Sequence, residues 1–498
     1  MGSTDTVRIV IVSNRGPFSF SMKDGTPVAK RGAGGLVTAI SSVARQHDIL
    51  WISCALGRGD LQWLHHVGGT MQTVEDMQIR MIAPDPAQYR GYYNVISNPL
   101  LWFVQHQLQD APRFPIIDRT TWHAWSNGYA GVNRQLAEAV AASLGDSDEP
   151  TVVMVQDYQL YLVPQYLREL VGDRVYIHFF SHIPWPGPDG WHVLPSTMRR
   201  QLLTSLLHAN RIGFQTERDT RRFLQTCADN LSGIRVTQPW RRIAYREREV
   251  AAAPYPISVD VEELRRNLAS AEGQTQLARM RAFRGNRRLI LRVDRVEPSK
   301  NILRGLIAYR NFLQSNAEYR GKVALLALLV PSRTEVAEYR DYLRDITGLA
   351  GEINATLGDS EWEPVRIMLG NNYPRALAAL SECDVLMVNP LADGMNLVAK
   401  EGAVLNDNAG VLILSEEAGA AEELGEHALL VSPFDVYGTS EALRRALTMP
   451  RDERHDRAVH LAQQVEHHDI HRWFARQLHD VEADLTQYGV LVHAEAPA

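Results

Sequence analysis

The sequence predicts an α/β protein with two domains, each built from a parallel sheet wrapped by helices. First, 498 residues are more than one ordinary domain holds. Second, short apolar runs alternate with helical patterns, and strands that are apolar on both faces are typical of parallel sheets covered by helices. Third, this alternation occurs in two series, at about 7–255 and about 288–415, which indicates two domains.

The strand candidates are short apolar runs rich in β-branched residues. They are Val7–Val12, Thr151–Val155, Val175–Phe180, Arg211–Phe214, Arg288–Val293, Val323–Val330 and Val385–Val388. Helical patterns lie between them. In Asn301–Phe312, for example, Ile302 and Leu306 recur at a spacing that places both on one face of a helix.

The domain boundaries follow from the stretch between the two series, Val259–Arg287, which is polar and helical and contains Gly273 and Gly285. We place an N-terminal domain at 1–258 and a C-terminal domain at 259–465. A last helix and a frayed tail occupy 466–498, and we expect this helix to return to the N-terminal domain. Ligands of open α/β sheets bind beyond the carboxyl ends of the strands. Two such domains facing each other would form a cleft there.

Composition and charge exclude several classes of protein. The formal net charge is −6, so there is no electrostatic attraction for nucleic acid as a general partner. The N-terminus is polar, and the longest apolar runs, such as Val323–Pro331, are too short to cross a membrane. We expect a soluble, cytoplasmic protein without nucleic-acid or membrane partners, and a homo-oligomer is compatible with this composition.

The cysteines and histidines indicate neither a disulfide framework nor a metal site. The three cysteines, Cys54, Cys227 and Cys383, are far apart and form no CxxC pair. The histidines at 65–66 and 467–471 lack the cysteine or carboxylate spacing of a metal site. We therefore expect reduced thiols, no metal and no bound cofactor.

The segment from Arg292 to Asn301 follows a predicted strand and precedes a predicted helix. Arg295 and Lys300 would meet an anion near the helix N-terminus, where free backbone N–H groups add positive potential. A diphosphate leaving group gains charge as its bond to a sugar breaks, so cations at this point stabilise the transition state more than the ground state. The alternative is an ordinary surface ion pair with Glu297.

The segment Asp393–Glu401 directly follows the predicted strand Val385–Val388. Gly394 lets the backbone approach a ligand closely, and the helix that follows offers free N–H groups to sugar hydroxyls or phosphate. Asp393 can accept hydrogen bonds from vicinal hydroxyls, and Glu401, two turns on, can take both hydroxyls of a ribose. The alternative is a helix cap at Asp393 with a solvated Glu401.

The N-terminal series also places polar residues directly after strands. Arg15 follows the first strand, and the glycine-rich turn with Gly34 and Gly35 enters a predicted helix, an arrangement that can bind phosphate. Asp157 and His182 follow neighbouring strands, where a carboxylate and an imidazole can bind hydroxyls or assist proton transfer. A tight turn and a structural histidine are the alternatives.

Together these strings resemble the trehalose-6-phosphate synthases, which are retaining glycosyltransferases of the GT-B architecture, with two Rossmann-like domains facing across a cleft. The resemblance runs nearly end to end and is most specific at Asp393–Glu401. Its other parts are Val12–Arg15, Tyr92–Asn94, Ser97–Asn98, Leu101–Trp102, Gln156–Tyr158, His182–Pro186, Gly213–Glu217, Arg295 with Lys300, Pro331–Arg333 and Asp469–Trp473.

The resemblance implies a nucleoside diphosphate glucose as the donor. It implies that Arg295 and Lys300 bind the donor diphosphate and that Glu401 binds the ribose. The loop of Gly34 and Gly35 would approach the donor phosphates. The donor glucose would be bound by Asp393 and by the backbone that follows it, at Gly394, Met395, Asn396 and Leu397.

The resemblance further implies glucose 6-phosphate as the acceptor. The residues it assigns to the acceptor phosphate pocket are Arg15, Tyr93, Trp102 and Arg333. Asp157 and His182 would contact acceptor and donor hydroxyls. Members of this family need no catalytic metal and retain the anomeric configuration by front-face attack, with the leaving phosphate taking the acceptor proton. The sequence agrees, since it offers cations for phosphate and no evident enzymic nucleophile.

The sequence departs from the usual pattern of this family. Cys54 stands where the family usually has a second tryptophan, which predicts an acceptor pocket of different shape. Ala392 stands where the family usually has an arginine, which predicts different contacts to the base. The variant Glu297–Asn301 resembles an actinobacterial branch, some of whose members use GDP-glucose, and it favours GDP-glucose over UDP-glucose as donor.

The sequence leaves two other functions open. A pseudo-glycosyltransferase that joins a nucleotide-linked cyclitol to an amino-cyclitol phosphate would share this fold and keep the phosphate-binding residues. An inactive sensor of sugar phosphates would have no need of transition-state cations. The residues that argue against such a sensor are Arg15, Arg295, Lys300, Asp393 and Glu401.

Overall fold

The computed structural model describes residues 7–23, 26–32, 37, 49–145, 149–237, 241–333 and 336–487. The chain divides into two compact units, Met1–Pro256 with Ile470–Ala498, and Ile257–Asp469. Each unit has its own sheet, helices and buried apolar core. The predicted α/β class with two Rossmann-like domains is confirmed, and the last helix belongs to the first unit as expected.

The strands of the first unit are β1 (Arg8–Arg15), β2 (Phe18–Lys23), β3 (Thr26–Arg31), β4 (Ile49–Cys54), β5 (Gln72–Val74), β6 (Met77–Ile82), β7 (Thr151–Gln156), β8 (Val175–Phe180), β9 (Arg211–Phe214), β10 (Ile234–Thr237), β11 (Arg242–Tyr245) and β12 (Arg248–Pro254). Ten of them form one sheet in the order β10-β11-β12-β9-β8-β7-β1-β4-β6-β5, and β2 and β3 form a separate hairpin. The strands from β12 to β6 are parallel, and antiparallel strands lie at both edges.

The helices of the first unit form the crossovers between its parallel strands and include the last helix of the chain. They are Arg58–His66, Pro86–Arg90, Trp102–Gln105, Arg119–His123, Ala130–Leu144, Val163–Val171, Ser196–Leu206, Glu217–Asn230 and Ile470–Gln487, with shorter or wider helical segments at Gly91–Leu101, Ala124–Tyr129, Tyr158–Leu160 and Pro188–Val193. The helix predicted to follow Gly34 and Gly35, like those two glycines, lies outside the described residues.

The second unit contains a six-stranded parallel sheet. Its strands are β13 (Arg288–Arg295), β14 (Val323–Val330), β15 (Val365–Leu369), β16 (Val385–Val388), β17 (Val411–Ser415) and β18 (Leu429–Val431), in the order β15-β14-β13-β16-β17-β18. Its helices are Val261–Ala269, Ala271–Arg284, Ile302–Ser315, Ala337–Leu357, Tyr373–Glu382, Leu397–Leu405, Ala421–Leu424, Val436–Thr448 and Arg451–His467, with short turns at Pro298–Lys300 and Ala317–Tyr319. None of the helices in the described part of the chain has the length and apolar character needed to cross a bilayer.

In both sheets the strand order reverses once within the parallel region. The chain moves outward to one side from β1 and then restarts at β7 on the other side, and it does the same from β13 to β16. Such a switch point opens a crevice at the carboxyl ends of the two central strands, which is where ligands of this architecture bind. Arg15 ends β1 and Arg295 ends β13, so each reaches a switch point.

Four of the seven predicted strands have the predicted bounds, namely β8, β9, β14 and β16, and three others extend further toward the carboxyl end. The missed strands include the hairpin of β2 and β3 and the antiparallel edge of β10 and β11. Most positions in these strands are exposed or half-buried, so the strands contain no long buried apolar run. The predicted polar stretch after Val259 forms two helices, which meet at Ser270.

Buried polar contacts hold the last helix, Ile470–Gln487, on the first unit. Asp484 is buried and accepts hydrogen bonds from Arg211 Nη2 at 2.7 Å and Nε at 3.0 Å, and also from the Tyr176 hydroxyl. Trp473 Nε1 donates to the Tyr255 carbonyl at 2.9 Å. Because a buried charge is tolerated only when it is paired, Arg211 makes the position of this helix specific.

Replacing Asp484 with alanine should lower the free energy of unfolding by about 3 kcal/mol, because it leaves the Arg211 guanidinium buried with incomplete compensation. Asp480, 3.3 Å from Arg211, limits the loss. Urea titration followed by circular dichroism measures the effect. The matched control is Asp341→Ala, which removes an exposed ion pair with Arg344 and should cost less than about 0.5 kcal/mol. Equal losses in the two variants would contradict the assignment.

Candidate functional site

The loop after β13 is built around a buried arginine. Arg292 is fully buried in β13, and its Nη2 donates to the Lys300 carbonyl at 3.0 Å while its Nε donates to Asp294 at 2.9 Å. A Cβ atom on Gly305 would lie 2.2 Å from Arg292 Nη1, so any larger residue there would displace the Arg292 guanidinium. Asn301 closes the loop with a positive φ of 57° and donates from Nδ2 to the Asn389 carbonyl at 3.0 Å. These bonds position the backbone of Lys300.

The loops after β13 and β16 meet through the predicted donor residues. Lys300 Nζ lies 2.5 Å from Asp393 Oδ2, and Asn396 Nδ2 donates to the same oxygen at 3.0 Å. The Leu391 amide donates to the Ser299 carbonyl at 2.8 Å. The structure therefore brings Lys300 and Asp393 together at the switch point of the second unit, next to the end of β13.

The segment after Asp393 enters the helix Leu397–Leu405 through a tight turn. Asn396 has a φ of 79°, and its side chain accepts a hydrogen bond from the Ala399 amide at 3.2 Å. Asn396 is thus the helix cap, and the alternative that Asp393 caps this helix is wrong. Gly394, Met395 and Ala392 are buried. The amino end of the helix, with its positive potential, therefore faces the same edge as Lys300.

Arg295 is half exposed at the last position of β13, and its Nη1 lies 3.0 Å from Glu297 Oε1. The alternative, an ion pair between Arg295 and Glu297, is therefore present. The pair does not lie on the surface, as that alternative expected, because Glu297 is fully buried. Arg333 Nη1 lies 2.9 Å from the same oxygen. Arg295 and Arg333, which the family resemblance assigns to the donor diphosphate and the acceptor phosphate, therefore share one carboxylate.

Glu401 lies on the helix Leu397–Leu405 and is partly buried. Desolvation raises the pKa of its carboxyl group to about 7, and a hydrogen bond from the Tyr373 hydroxyl acts in the opposite direction. Tyr373 begins the helix Tyr373–Glu382, which follows the carboxyl end of β15. The alternative of a solvated Glu401 is therefore wrong, and its carboxyl group changes charge near neutral pH.

In the first unit, Asp157 and His182 come together at the ends of β7 and β8. Asp157 has a φ of 77°, a conformation that costs a non-glycine residue about 1–3 kcal/mol. Its amide donates to the Phe180 carbonyl at 2.7 Å, and its Oδ1 accepts from the His182 amide at 3.1 Å. Strain of this kind is concentrated at functional sites, which agrees with the predicted role of Asp157.

The imidazole of His182 is held by two glutamines. Its Nε2 donates to Gln156 Oε1 at 3.0 Å, and its Nδ1 accepts from Gln215 Nε2 at 3.4 Å. One neutral tautomer satisfies both bonds. Burial lowers the pKa of His182 to about 3, because the charged form is desolvated. At pH 7 this ring is a neutral hydrogen-bonding group, so the predicted assistance by proton transfer does not come from an imidazolium here.

Arg15 lies exposed at the end of β1, beside Cys54, the last residue of β4. The neighbouring Asn14 accepts a hydrogen bond from the Tyr89 hydroxyl at 3.2 Å, and the ring of Tyr89 stacks on Tyr93 at 5.7 Å between centroids. The structure thus brings Tyr93 to the switch point that Arg15 reaches. Burial raises the pKa of the Cys54 thiol to about 12, so this group is neutral.

Two acceptor candidates remain, Trp102 and Arg333. Trp102 is buried, with its ring stacked on His106 at 3.9 Å and tilted against Tyr158 at 5.6 Å. Arg333 belongs to the second unit, whereas Arg15, Tyr93 and Trp102 belong to the first. The grouping of these residues around one phosphate stays a prediction. Gly34 and Gly35 lie outside the described residues.

Three positioning side chains were missed from the sequence, namely Arg292, Gln156 and Gln215. Arg292 has a visible signal, a charge inside the apolar run Leu289–Val293. The two glutamines end or follow apolar strands and have no distinguishing pattern of their own. Among the residues that the structure describes, no group of three or more metal-ligating side chains is arranged around a common point.

Comparison with known proteins identifies relatives along nearly the whole chain. The family model "Glycosyltransferase family 20" matches residues 7–483. A bifunctional trehalose-6-phosphate synthase/phosphatase of Thermoproteus tenax is 31% identical over 94% of this chain, and the chain spans 62% of that protein's length.

Two solved structures share the fold over their full length. An E. coli structure with UDP-2-fluoro glucose bound has a TM-score of 0.82 and 29% identity, covering 95% of this chain and 98% of its own. A UDP-forming α,α-trehalose-phosphate synthase from Burkholderia xenovorans, solved with glucose-6-phosphate, has a TM-score of 0.80 and 30% identity, covering 95% of this chain and 100% of its own. At this coverage the likeness includes both units.

The His182 ring should remain neutral as the pH is lowered from 8 to 5, because burial disfavours its charged form. Ring chemical shifts in protein labelled at histidine measure this, and the variant His182→Gln identifies the signal. A titration midpoint near the ordinary value of 6.5 would contradict the geometry of the two glutamines.

Proposed function

The chain belongs to glycosyltransferase family 20, the family of the trehalose-6-phosphate synthases, and we propose that it transfers glucose from UDP-glucose to glucose 6-phosphate to form α,α-trehalose 6-phosphate. The observation that carries the proposal is the pair of Lys300 and Asp393 at the switch point of the second unit, next to Arg295 at the end of β13. Such an arrangement supports the proposal because cations suit a leaving diphosphate and a carboxylate suits sugar hydroxyls.

The donor is UDP-glucose in this proposal. The sequence variant Glu297–Asn301 favoured GDP-glucose, whereas one solved relative holds UDP-2-fluoro glucose and another is UDP-forming. Ala392 is buried, so its methyl group offers no polar contact to any base. The discrimination between uracil and guanine therefore rests on the backbone and on the neighbouring side chains.

The acceptor is glucose 6-phosphate, which is bound in the solved Burkholderia xenovorans relative. Arg15 is the exposed cation of the first unit at its switch point, and Tyr93 reaches the same point. An exposed guanidinium with a nearby phenol suits a phosphate monoester, since arginine binds phosphate through two parallel hydrogen bonds. We include Trp102 and Arg333 in the acceptor site on the family resemblance.

The reaction retains the anomeric configuration by front-face attack. Arg295 and Lys300 stabilise the charge that develops on the diphosphate as the glycosidic bond breaks. Asp393 orients the donor glucose, and the leaving phosphate oxygen takes the proton of the acceptor hydroxyl. Because the pKa of His182 leaves it neutral, it contributes a hydrogen bond rather than a proton. Glu401 accepts the ribose hydroxyls.

The direct test is incubation of the protein with glucose 6-phosphate and either UDP-glucose or GDP-glucose. We expect UDP and a non-reducing disaccharide phosphate, detected by mass spectrometry and by anomeric NMR signals of the α,α linkage. Product only with cyclitol substrates would establish the pseudo-glycosyltransferase instead. Binding of both substrates without any product would establish the sensor.

Arg295→Ala should lower kcat by about 10²-fold or more, because the lost cation stabilises charge that exists mainly in the transition state. Steady-state kinetics with both substrates saturating measures the change. The control is Arg366→Ala, since Arg366 is exposed to the same extent and is likewise paired with a glutamate, Glu363. A kcat unchanged in Arg295→Ala would exclude the assigned role.

Binding of UDP-glucose should weaken by about tenfold as the pH falls from 8 to 6, because Glu401, with a pKa of about 7, loses its charge over this range and accepts ribose hydroxyls less well. Calorimetric titration without acceptor measures the affinity for UDP-glucose alone. The diphosphate of UDP-glucose does not change its protonation in this pH range. Glu401→Gln should bind more weakly at pH 8 and show no such dependence. A pH dependence that persists in this variant would assign the titration to another group.

A further inference from the structure

Glu297 is a fully buried carboxylate between two arginines that the proposed function assigns to different substrates. Its Oε1 lies 3.0 Å from Arg295 Nη1 and 2.9 Å from Arg333 Nη1. The Ser332 hydroxyl donates to the same oxygen at 3.1 Å. This one oxygen atom therefore accepts hydrogen bonds from Ser332 and Arg333 and forms an ion pair with Arg295.

The two loops follow the adjacent parallel strands β13 and β14. The strands pair in register up to Arg295 and Val330, and the Val296 amide then donates to the Val330 carbonyl at 2.8 Å. Glu297 lies on the first loop, and Ser332 and Arg333 lie on the second. Beyond the last backbone bond, the Glu297 side chain joins the two loops.

Glu297 holds the two arginines close together. Each guanidinium nitrogen lies about 3 Å from Glu297 Oε1, so the two nitrogens lie within about 6 Å of each other. Like charges at this distance repel, and the carboxylate between them offsets that repulsion. Two guanidinium groups held this close are arranged to bind anions.

The two arginines differ in how firmly they are held. The Arg333 side chain is mostly buried, and its Nη1 also donates to the Tyr339 hydroxyl at 2.8 Å, whereas Arg295 is half exposed. Arg333 has a φ of 46°, a conformation that a non-glycine residue keeps only when its surroundings enforce it. Glu297 is one of the contacts that enforces it.

We propose that Glu297 is a positioning residue that holds Arg295 and Arg333 as one dicationic anion site, so that the donor diphosphate and the acceptor phosphate are bound by cations in a set spatial relation. The identity of the two anions rests on the proposed function. The sharing of the Glu297 carboxylate by two arginines is independent of that function. Front-face attack requires the acceptor hydroxyl next to the leaving phosphate. Cations joined through one carboxylate provide that alignment before either substrate binds.

The test compares Glu297→Gln with Glu382→Gln. Glu382 also bridges two arginines of the second unit, Arg281 at 2.7 Å and Arg284 at 3.2 Å, but it lies at the amino end of β16, away from the site. Calorimetric titration with inorganic pyrophosphate and with inorganic phosphate measures anion binding without turnover. Kinetics with UDP-glucose and glucose 6-phosphate measures both KM values.

Glu297→Gln should weaken the binding of both inorganic anions, raise both KM values by about tenfold or more and also lower kcat, because Arg295 is then no longer held in position for the transition state. Glu382→Gln should leave all of these within about twofold of the original protein. A loss confined to one anion and its substrate, or equal losses in the two variants, would overturn the proposal. So would an original protein that binds neither inorganic anion.

A third variant separates positioning from a general loss of folding. Glu297→Asp keeps the charge but shortens the side chain by one methylene group, so anion binding should lie between that of the original protein and that of Glu297→Gln. If Glu297→Gln does not fold, the comparison of Glu297→Asp with Glu382→Asp decides in its place. If the original protein forms no trehalose 6-phosphate, the proposed function fails, while the titrations still decide the role of Glu297.

Discussion

The loop after β13 is held by ion pairs from both sides, and the geometry of the second unit's site depends on this constraint. Toward β14, the buried Glu297 joins Arg295 and Arg333. Toward β16, Lys300 pairs with Asp393. The Glu297–Arg333 and Lys300–Asp393 pairs are mostly buried, so each costs more to break than an exposed pair does. Three neighbouring strand ends therefore keep one arrangement of charges before any ligand is present.

The first unit uses the same topology with a different chemistry. Its strand order also reverses in the parallel region, and Asp157 and His182 meet there through a backbone amide. Here the preorganisation comes from neutral hydrogen bonds: two glutamines hold the imidazole, and burial keeps its pKa low. The two sites therefore differ: the loops of the second unit are joined by ion pairs, whereas Asp157 and His182 of the first unit are held by hydrogen bonds.

Much of the fold was predictable because its central strands are apolar on both faces. Val323–Val330 and Val385–Val388 have the predicted bounds, since an uninterrupted apolar run between helices fits little else. The hairpin of β2 and β3 and the antiparallel strands β10 and β11 were not predicted, because pairing between partners rather than burial defines them. In the site, Lys300 and Asp393 were predicted together because both directly follow central strands.

By itself, the sequence determined the class of fold, the family and the residue types that can bind a sugar nucleotide, because periodicity and short motifs are local properties of the chain. Only the tertiary structure decided which charges share a partner. Glu297 and Arg333 are far apart in sequence, yet register between β13 and β14 brings them to 2.9 Å. Likewise, the protonation of His182 and Glu401 follows from burial, which depends on elements that fold over them from elsewhere in the chain.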